Sequence, residues 1–414
     1  MSGILTQQFR QSVSKHKDYR KKDESQSRVA YPTGFLNFDF MNGTVVDVNS
    51  EDRNLRYYSV GIQDGSLATL IGRSGCGKTT FAVQVAANIV RNFPNACIFH
   101  DDIEGGITEY RKQVLSGFNG YELDTKYISR NTGITAENFY ERLCMIHNLK
   151  LENRADYEYD TGCFDSRGNR IYKLEPTVYI LDSLAMLMPE KFTEEEELSG
   201  SMSSTASAKV NSMTFKRIIP MLKSANIILP IINHINQKID INPMQRTKSQ
   251  VSYLKQGESL PGGNTAIYVA NLLIRFDDNS KLKADETFGI AGSLVDLTLV
   301  KSRNNGAGRV CTLVFDQHRG FDPELSLFVM LKNAKRIGGA GAHLYIGDRS
   351  DIKFSQKTFK EKLRENPELY QIFLQEAMVL LKEDLDKIST STSSSIGNNY
   401  SLATDLLSQL NPTM

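Results

Sequence analysis

The sequence predicts an α/β fold: a mostly parallel central sheet flanked by helices, with small N- and C-terminal extensions. Three observations predict it. From residue 66 onward, strand-like and helix-like segments alternate, the pattern that packs helices onto a parallel sheet. Strand-like segments such as "TVYILD" (177–182) and "NIILPIIN" (226–233) are apolar almost throughout, which fits a sheet covered on both faces. Between the first strand and helix, "GRSGCGKT" (72–79) matches G-x-x-x-x-G-K-[ST], a phosphate-cradling turn.

Residues 1–30 are polar and basic, with "KHKDYRKK" at 15–22. They read as an N-terminal arm, frayed, or docked on a neighbouring subunit or on phosphates. "SLATLIG" (66–72) is the strand that enters the phosphate loop, and 79–91 is a helix with an apolar stripe at Phe81, Val85 and Ile89. "ACIFHD" (96–101) is the next strand, followed by helices over 109–117 and 135–150. Residues 152–175 carry the turn "DSRGNR" between two short aromatic runs, which predicts a β-hairpin insertion. "TVYILD" is a strand, 205–224 a helix and 226–233 a buried strand. "NLLIRF" (271–276), "LVDLTLVK" (294–301) and "RVCTLVF" (309–315) read as further strands. The core is therefore expected over 31–335, a small C-terminal helical region over 336–388 and a flexible tail over 389–414. The "STSTSSS" run starts that tail. Leu402, Leu406, Leu407 and Leu410 share one helical face beyond it, a candidate partner-binding helix.

Composition narrows the function. The chain has 414 residues, 40% hydrophobic and 23% charged, a soluble globular profile. Net charge is +1, so any nucleic-acid site must be a local patch. The five cysteines lack C-x-x-C spacing, which argues for a reducing, cytoplasmic compartment and against a zinc site. No apolar run approaches the length of a membrane span, and none forms a signal-peptide core.

The chemistry starts at the phosphate loop. Gly72, Arg73, Ser74, Gly75, Cys76, Gly77, Lys78, Thr79 and Thr80 form the expected nucleotide site. Lys78 reaches the β- and γ-phosphates, and the Thr79 hydroxyl can hold Mg²⁺. Asp182 ends an apolar strand expected beside the loop, where its carboxylate can hold the same ion. A water-activating carboxylate is expected from "FHDDIEGGIT" (99–108), which offers Asp101, Asp102 and Glu104. Glu104 is favoured for its reach and for the glycine pair after it, and such a base contributes roughly 10²–10⁴-fold in rate. Asn233 and His234 end a buried strand and can hydrogen-bond a phosphate. Lys301 and Arg303, two apart and following a strand, suit a γ-phosphate, and cations of this kind commonly come from an adjacent subunit. The segment 238–264 is long, polar and poorly periodic. It carries Lys238, Arg246, Lys248 and Lys255 against Asp240 and Glu258, with Ile239, Ile241, Met244 and Tyr253 interleaved. That mixture suits single-stranded nucleic acid. Residues 188–209 form a second segment expected to be mobile, whose Glu194–Glu197 run repels phosphate.

Taken in order, "GRSGCGKTT", "CIFHDDIEGGITEY", "YILDSLAML", "PIINHI…PGGNTAIYVANLLI" and "LVKSRNN" resemble the RecA-type recombinases, most closely the phage UvsX branch. The resemblance covers roughly residues 30–335. It implies a RecA-like P-loop ATPase core, with ATP and Mg²⁺ as cofactors and ATP held between subunits. It also implies helical homo-oligomeric filaments on single-stranded DNA, with pairing and strand exchange against double-stranded DNA. Accessory partners would be a single-strand-binding protein and a recombination mediator, in the host-cell cytoplasm. By position, Glu104 takes the water-activating role and Tyr110 the place of the aromatic that stacks on adenine. Asp182 takes the metal carboxylate role and His234 that of the γ-phosphate sensor. Residues 188–209 and 236–263 match the two DNA loops, and Lys301 and Arg303 the neighbour's cations. "DDIEGG" is one residue longer than the family's usual run, so Asp102 remains a rival to Glu104. Residues 44–60 and 152–175 look inserted. DnaB-type helicases share a segment like Thr33-Gly34-Phe35, but the 71 residues before the loop are too few for that family's N-terminal domain. A signalling ATPase on the same core, without a DNA role, is a third reading.

Overall fold

The structure, a computed structural model, describes residues 28–50, 53–165, 167–192, 200–237, 253–261, 265–283 and 288–387. Its centre is a nine-stranded sheet. In chain order the strands are β1 (Leu67–Gly72), β2 (Ile98–Asp102), β3 (Tyr127–Arg130), β4 (Thr177–Asp182) and β5 (Ile227–His234), then β6 (Leu272–Leu282), β7 (Gly292–Ser302), β8 (Val310–Asp316) and β9 (Gly320–Asp322). They lie in the order β9-β8-β7-β6-β1-β5-β4-β2-β3. From β3 to β6 every neighbouring pair is parallel, and β7, β8 and β9 continue antiparallel. The expected α/β fold with a mostly parallel sheet is therefore observed.

Helices cover both faces because the strands bury side chains on both. On one face Leu70, Ile98, Ile180, Ile228, Ile232 and Ile274 pack beneath α1 (Lys78–Arg91) through Phe81, Val85 and Ile89. On the other, Leu67, Tyr179, Leu181, Leu229 and Ile231 meet α2 (Ala136–Glu152) and α3 (Gly200–Ser224) through Phe139, Leu143, Phe215 and Leu222. The period-two alternation along β4 and β5 assigns each residue to its face. Burying one such Leu, Ile or Phe stabilises the fold by about 1.5–3 kcal/mol.

Parallel register puts the carboxyl ends of the strands on one edge. Gly72 lies beside His234, and Asp102 beside Asp182. The chain leaves β1 toward β2 and β3, returns through β4 and β5, and passes to β6 on the other side of β1. Open α/β sheets bind ligands outside the carboxyl ends at such a switch point.

Several expectations change. β4 is not the neighbour of β1, because β5 lies between them. β3, β9 and the helix Gly120–Lys126 are additional. Residues 200–209, expected within a mobile loop, belong to α3, while 193–199 lie outside the described residues. The 152–175 hairpin is observed as Glu158–Phe164 paired with Arg170–Leu174. The apparent insertion near 44–60 is a second hairpin, Thr44–Ser50 with Arg53–Ser59. The region expected as helical over 336–388 also contains an antiparallel sheet of Ile337–Gly338, Leu344–Ile346 and Arg349–Phe354. These strands pack with Phe359 and Phe373 against α4 (Pro323–Asn333), whose Leu325, Phe328 and Leu331 join that cluster. Residues 1–27 of the expected arm and the tail 389–414 with its leucine stripe lie outside the described residues. Among the described residues no helix is long and apolar enough to cross a membrane.

Candidate nucleotide site

The loop from Gly72 to Thr79 joins β1 to α1. Gly75 and Gly77 have φ of +79° and +86°, a left-handed conformation that glycine adopts without a Cβ clash. A Cβ on Gly77 would lie 2.8 Å from the Phe321 ring, whereas one on Gly75 would meet nothing within 4 Å. Arg73 and Ser74 are exposed, and Cys76 and Thr80 are buried. The Cys76 thiol donates to the Arg73 carbonyl at 2.9 Å, so it closes the loop.

Lys78 is buried and its Nζ donates to the carbonyls of Gly72 (3.0 Å) and Arg73 (2.7 Å). Burial pushes it below the ordinary lysine value, against the attraction of Cys76, Asp182 and Glu104. Nζ also lies 3.4 Å from His234 Nδ1, and His234 Nε2 lies 2.8 Å from Glu104 Oε1. An ammonium only donates and a carboxylate only accepts. A neutral His234 therefore carries its proton on Nε2. The Ser183 hydroxyl donates to the same Glu104 oxygen at 2.6 Å. The groups form one chain, Lys78 to His234 to Glu104, with Ser183 supporting its end.

Thr79 donates its hydroxyl to Asp182 Oδ2 at 2.5 Å. Asp182 Oδ1 is buried and has no hydrogen-bond partner among the described residues. Burial is the largest cause pushing Asp182 up to about 7, against the Thr79 hydrogen bond, and the Glu104 and Asp102 carboxylates add to it. The Thr79 hydroxyl and the Asp182 carboxylate set oxygens side by side at the loop, the ligand type that a hard divalent cation takes. Glu104, Asp182 and His234 each offer a ligand atom within 4.8 Å of the others.

The three acidic candidates separate by what they touch. Asp101 is buried against Arg130, Arg142 and the Tyr179 hydroxyl, a packing role inside the sheet. Asp102 accepts the backbone N–H groups of Gly106 (3.3 Å) and Ile107 (3.1 Å), so it shapes the turn. Glu104 alone of the three touches Ser183 and His234. Glu104→Gln is expected to keep nucleotide binding while hydrolysis falls about 10²–10⁴-fold. Binding calorimetry beside a phosphate-release assay checks this, and wild-type turnover in the variant would move the role to Asp102.

Tyr110, near the start of the helix Glu109–Ser116, is 75% exposed and free to stack on a ring. Lys301 and Arg303 are not brought to the loop. Lys301 lies inside β7 opposite Leu273, which lies beside Thr69, and Arg303 follows the strand. That is three residues back from Gly72, or ~10 Å along the strands, and two strand spacings of ~4.8 Å sideways. Lys301 Nζ donates to the carbonyls of Ile267 (3.2 Å) and Tyr268 (2.7 Å).

Of the DNA candidates, Lys238, Arg246 and Lys248 lie outside the described residues, as do Ile239, Ile241 and Met244. Lys255 forms an ion pair with Asp277 at 2.9 Å, with its side chain 64% exposed. Tyr253 packs into a cluster with Ile71, Ile235, Ile267 and Leu273, and its carbonyl accepts Arg275. Sequence reasoning missed the groups that fix this loop base. Asn236 and Gln237 pair with Ser259 and Glu258. Arg275 holds Glu258 through two hydrogen bonds at 2.7 and 3.0 Å, and Glu258 lies 3.8 Å from Arg73 of the phosphate loop.

The chain matches no protein-family model, and a search of curated proteins finds no significant relative.

Proposed function

We propose that the chain is an ATP-dependent DNA recombinase with a RecA-like core. In this reading it assembles as a filament on single-stranded DNA and promotes homologous pairing and strand exchange. The observation that carries it is the loop base at Glu258. The basic, apolar-interleaved segment after Gln237 leaves and returns at one point, and that point lies against Arg73. A change at the phosphate loop therefore reaches the segment with the composition for single-stranded DNA. A signalling ATPase has no need of that link.

In the proposed mechanism Lys78 neutralises charge on the β- and γ-phosphates of ATP. Thr79 and Asp182 would hold Mg²⁺, which supplies further neutralisation when bound. Glu104 orients the attacking water and takes its proton. His234 lies between Lys78 and Glu104 at the start of the DNA-loop segment. A γ-phosphate that draws Lys78 away would change His234's partners and so signal to that segment. Lys301 and Arg303 complete the site from the next subunit.

Electron microscopy with single-stranded DNA and ATP tests the reading. Long helical filaments are expected, together with ATPase stimulated by single-stranded DNA. Closed six-membered rings that unwind a fork would make the protein a replicative helicase. An ATPase indifferent to DNA would overturn the recombinase reading.

A further inference from the structure

Behind the phosphate loop lies a second group of converging ligand atoms. His100 and Asp102 are two apart on β2 and so point to one face. Asp182 sits beside Asp102 in the neighbouring strand. All three are buried, with exposures of 0%, 5% and 3%. One ligand atom of each lies within 4.8 Å of the others. His100 Nε2 and Asp182 Oδ1 are both buried without a hydrogen-bond partner among the described residues. A buried polar atom left unmatched is destabilising, and here two occur in one group of three residues.

Tyr127 sets the chemistry of the gap. Its hydroxyl lies 2.7 Å from His100 Nδ1. With the ring proton on Nδ1, donated to Tyr127, Nε2 presents a lone pair to the cluster. Outer hydrogen bonds of this kind orient metal-binding histidines. Asp102 uses its oxygens on the N–H groups of Gly106 and Ile107 and retains further lone pairs. Lone pairs from one imidazole and two carboxylates then converge in a buried space.

We propose that His100, Asp102 and Asp182 form an inner divalent-cation site, suited to Mn²⁺ or a similar ion in preference to Mg²⁺. An imidazole nitrogen favours a first-row transition ion over Mg²⁺, which takes oxygen ligands and keeps its waters, and the two carboxylates suit Mn²⁺. Asp182 is the shared wall: Oδ2 faces Thr79 on the nucleotide side and Oδ1 serves the inner site. The proposal does not require ATP to be the ligand of the phosphate loop.

The test is a titration of chelator-stripped, nucleotide-free, full-length protein with Mn²⁺, following the electron paramagnetic resonance signal of the free ion. One bound Mn²⁺ per chain is expected, retained in excess Mg²⁺. His100→Ala should weaken binding by at least ~100-fold, and Tyr127→Phe, which removes only the outer hydrogen bond, by about 10-fold. Circular dichroism confirms that each variant is folded. If His100→Ala is not, Tyr127→Phe carries the test. No Mn²⁺ bound without nucleotide, or unchanged affinity in the folded variants, overturns the inner site. Because no nucleotide is present, that failure leaves the ATP reading standing, and success does not depend on it.

Discussion

Lys78→Ala is expected to abolish ATP hydrolysis and to weaken ATP binding. The ammonium is already positioned: the carbonyls of Gly72 and Arg73 and the ring of His234 hold Nζ at the mouth of the loop. A charge fixed before the substrate arrives needs no reorganisation during reaction. Removing a comparable fixed donor elsewhere costs about 10²–10³ in rate. Here the group is a full charge, and His234 and through it Glu104 lose their anchor as well. The rival explanation is misfolding. Both carbonyls keep a second donor, the Ile235 N–H at 3.0 Å on Gly72 and the Cys76 thiol at 2.9 Å on Arg73. Each therefore loses only one hydrogen bond, about 0.5–1.5 kcal/mol, against a domain stability of about 5–15 kcal/mol. The variant should therefore melt at a lower temperature yet remain folded at 25 °C. Calorimetry with ATP, a phosphate-release assay and a thermal melt together check this. A folded variant with wild-type turnover would remove the phosphate loop from the mechanism.

What could be read from the sequence follows from how local each signal is. The phosphate loop is wholly local, since its glycines, Lys78 and Thr79 lie within eight consecutive residues. β1, β4 and β5 were legible because strands buried on both faces are apolar throughout. β3, "YISR", escaped because it is an edge strand with three of its four residues not buried. The strands over 337–354 escaped because two are only two and three residues long and the third, "RSDIKF", is mostly polar. The order of parallel strands is not local either: helical crossovers separate neighbours in sequence, so β5 between β1 and β4 could not be seen. Asp182 still reaches Thr79, because α1 carries Thr79 across the end of β5 to it. Ion pairs are the least legible. Lys255 reads as one cation of a basic segment until Asp277, 22 residues away, is found against it. His100 reads as a strand residue until its Nε2 is found without a partner among the described residues and one ring nitrogen within 4.8 Å of an Asp182 oxygen.

Lys301→Ala alone and Glu104→Gln alone are each expected to be nearly inactive, and their mixture to regain DNA-dependent ATPase. Glu104 lies just past the carboxyl end of β2, whereas Lys301 lies level with Thr69, three residues back from the carboxyl end of β1. Lys301 is held by the carbonyls of Ile267 and Tyr268. Burial and the adjacent Arg303 charge push it below the ordinary lysine value. Both conditions favour release toward an anion brought against it. A neighbouring subunit's γ-phosphate would be such an anion, and a cation supplied in trans contributes about 10³–10⁵ in rate in other phosphoryl-transfer systems. In a mixed filament, some interfaces join a subunit with intact Glu104 to a neighbour with intact Lys301. Those interfaces contain every wild-type group, so activity should return that neither variant shows alone. Fluorescence transfer between differently labelled variants establishes that they co-assemble. If they do and ATPase stays absent, Lys301 serves its own subunit or plays no part in hydrolysis. If activity returns, ATP acts as an adhesive between subunits, and its hydrolysis loosens the filament from DNA.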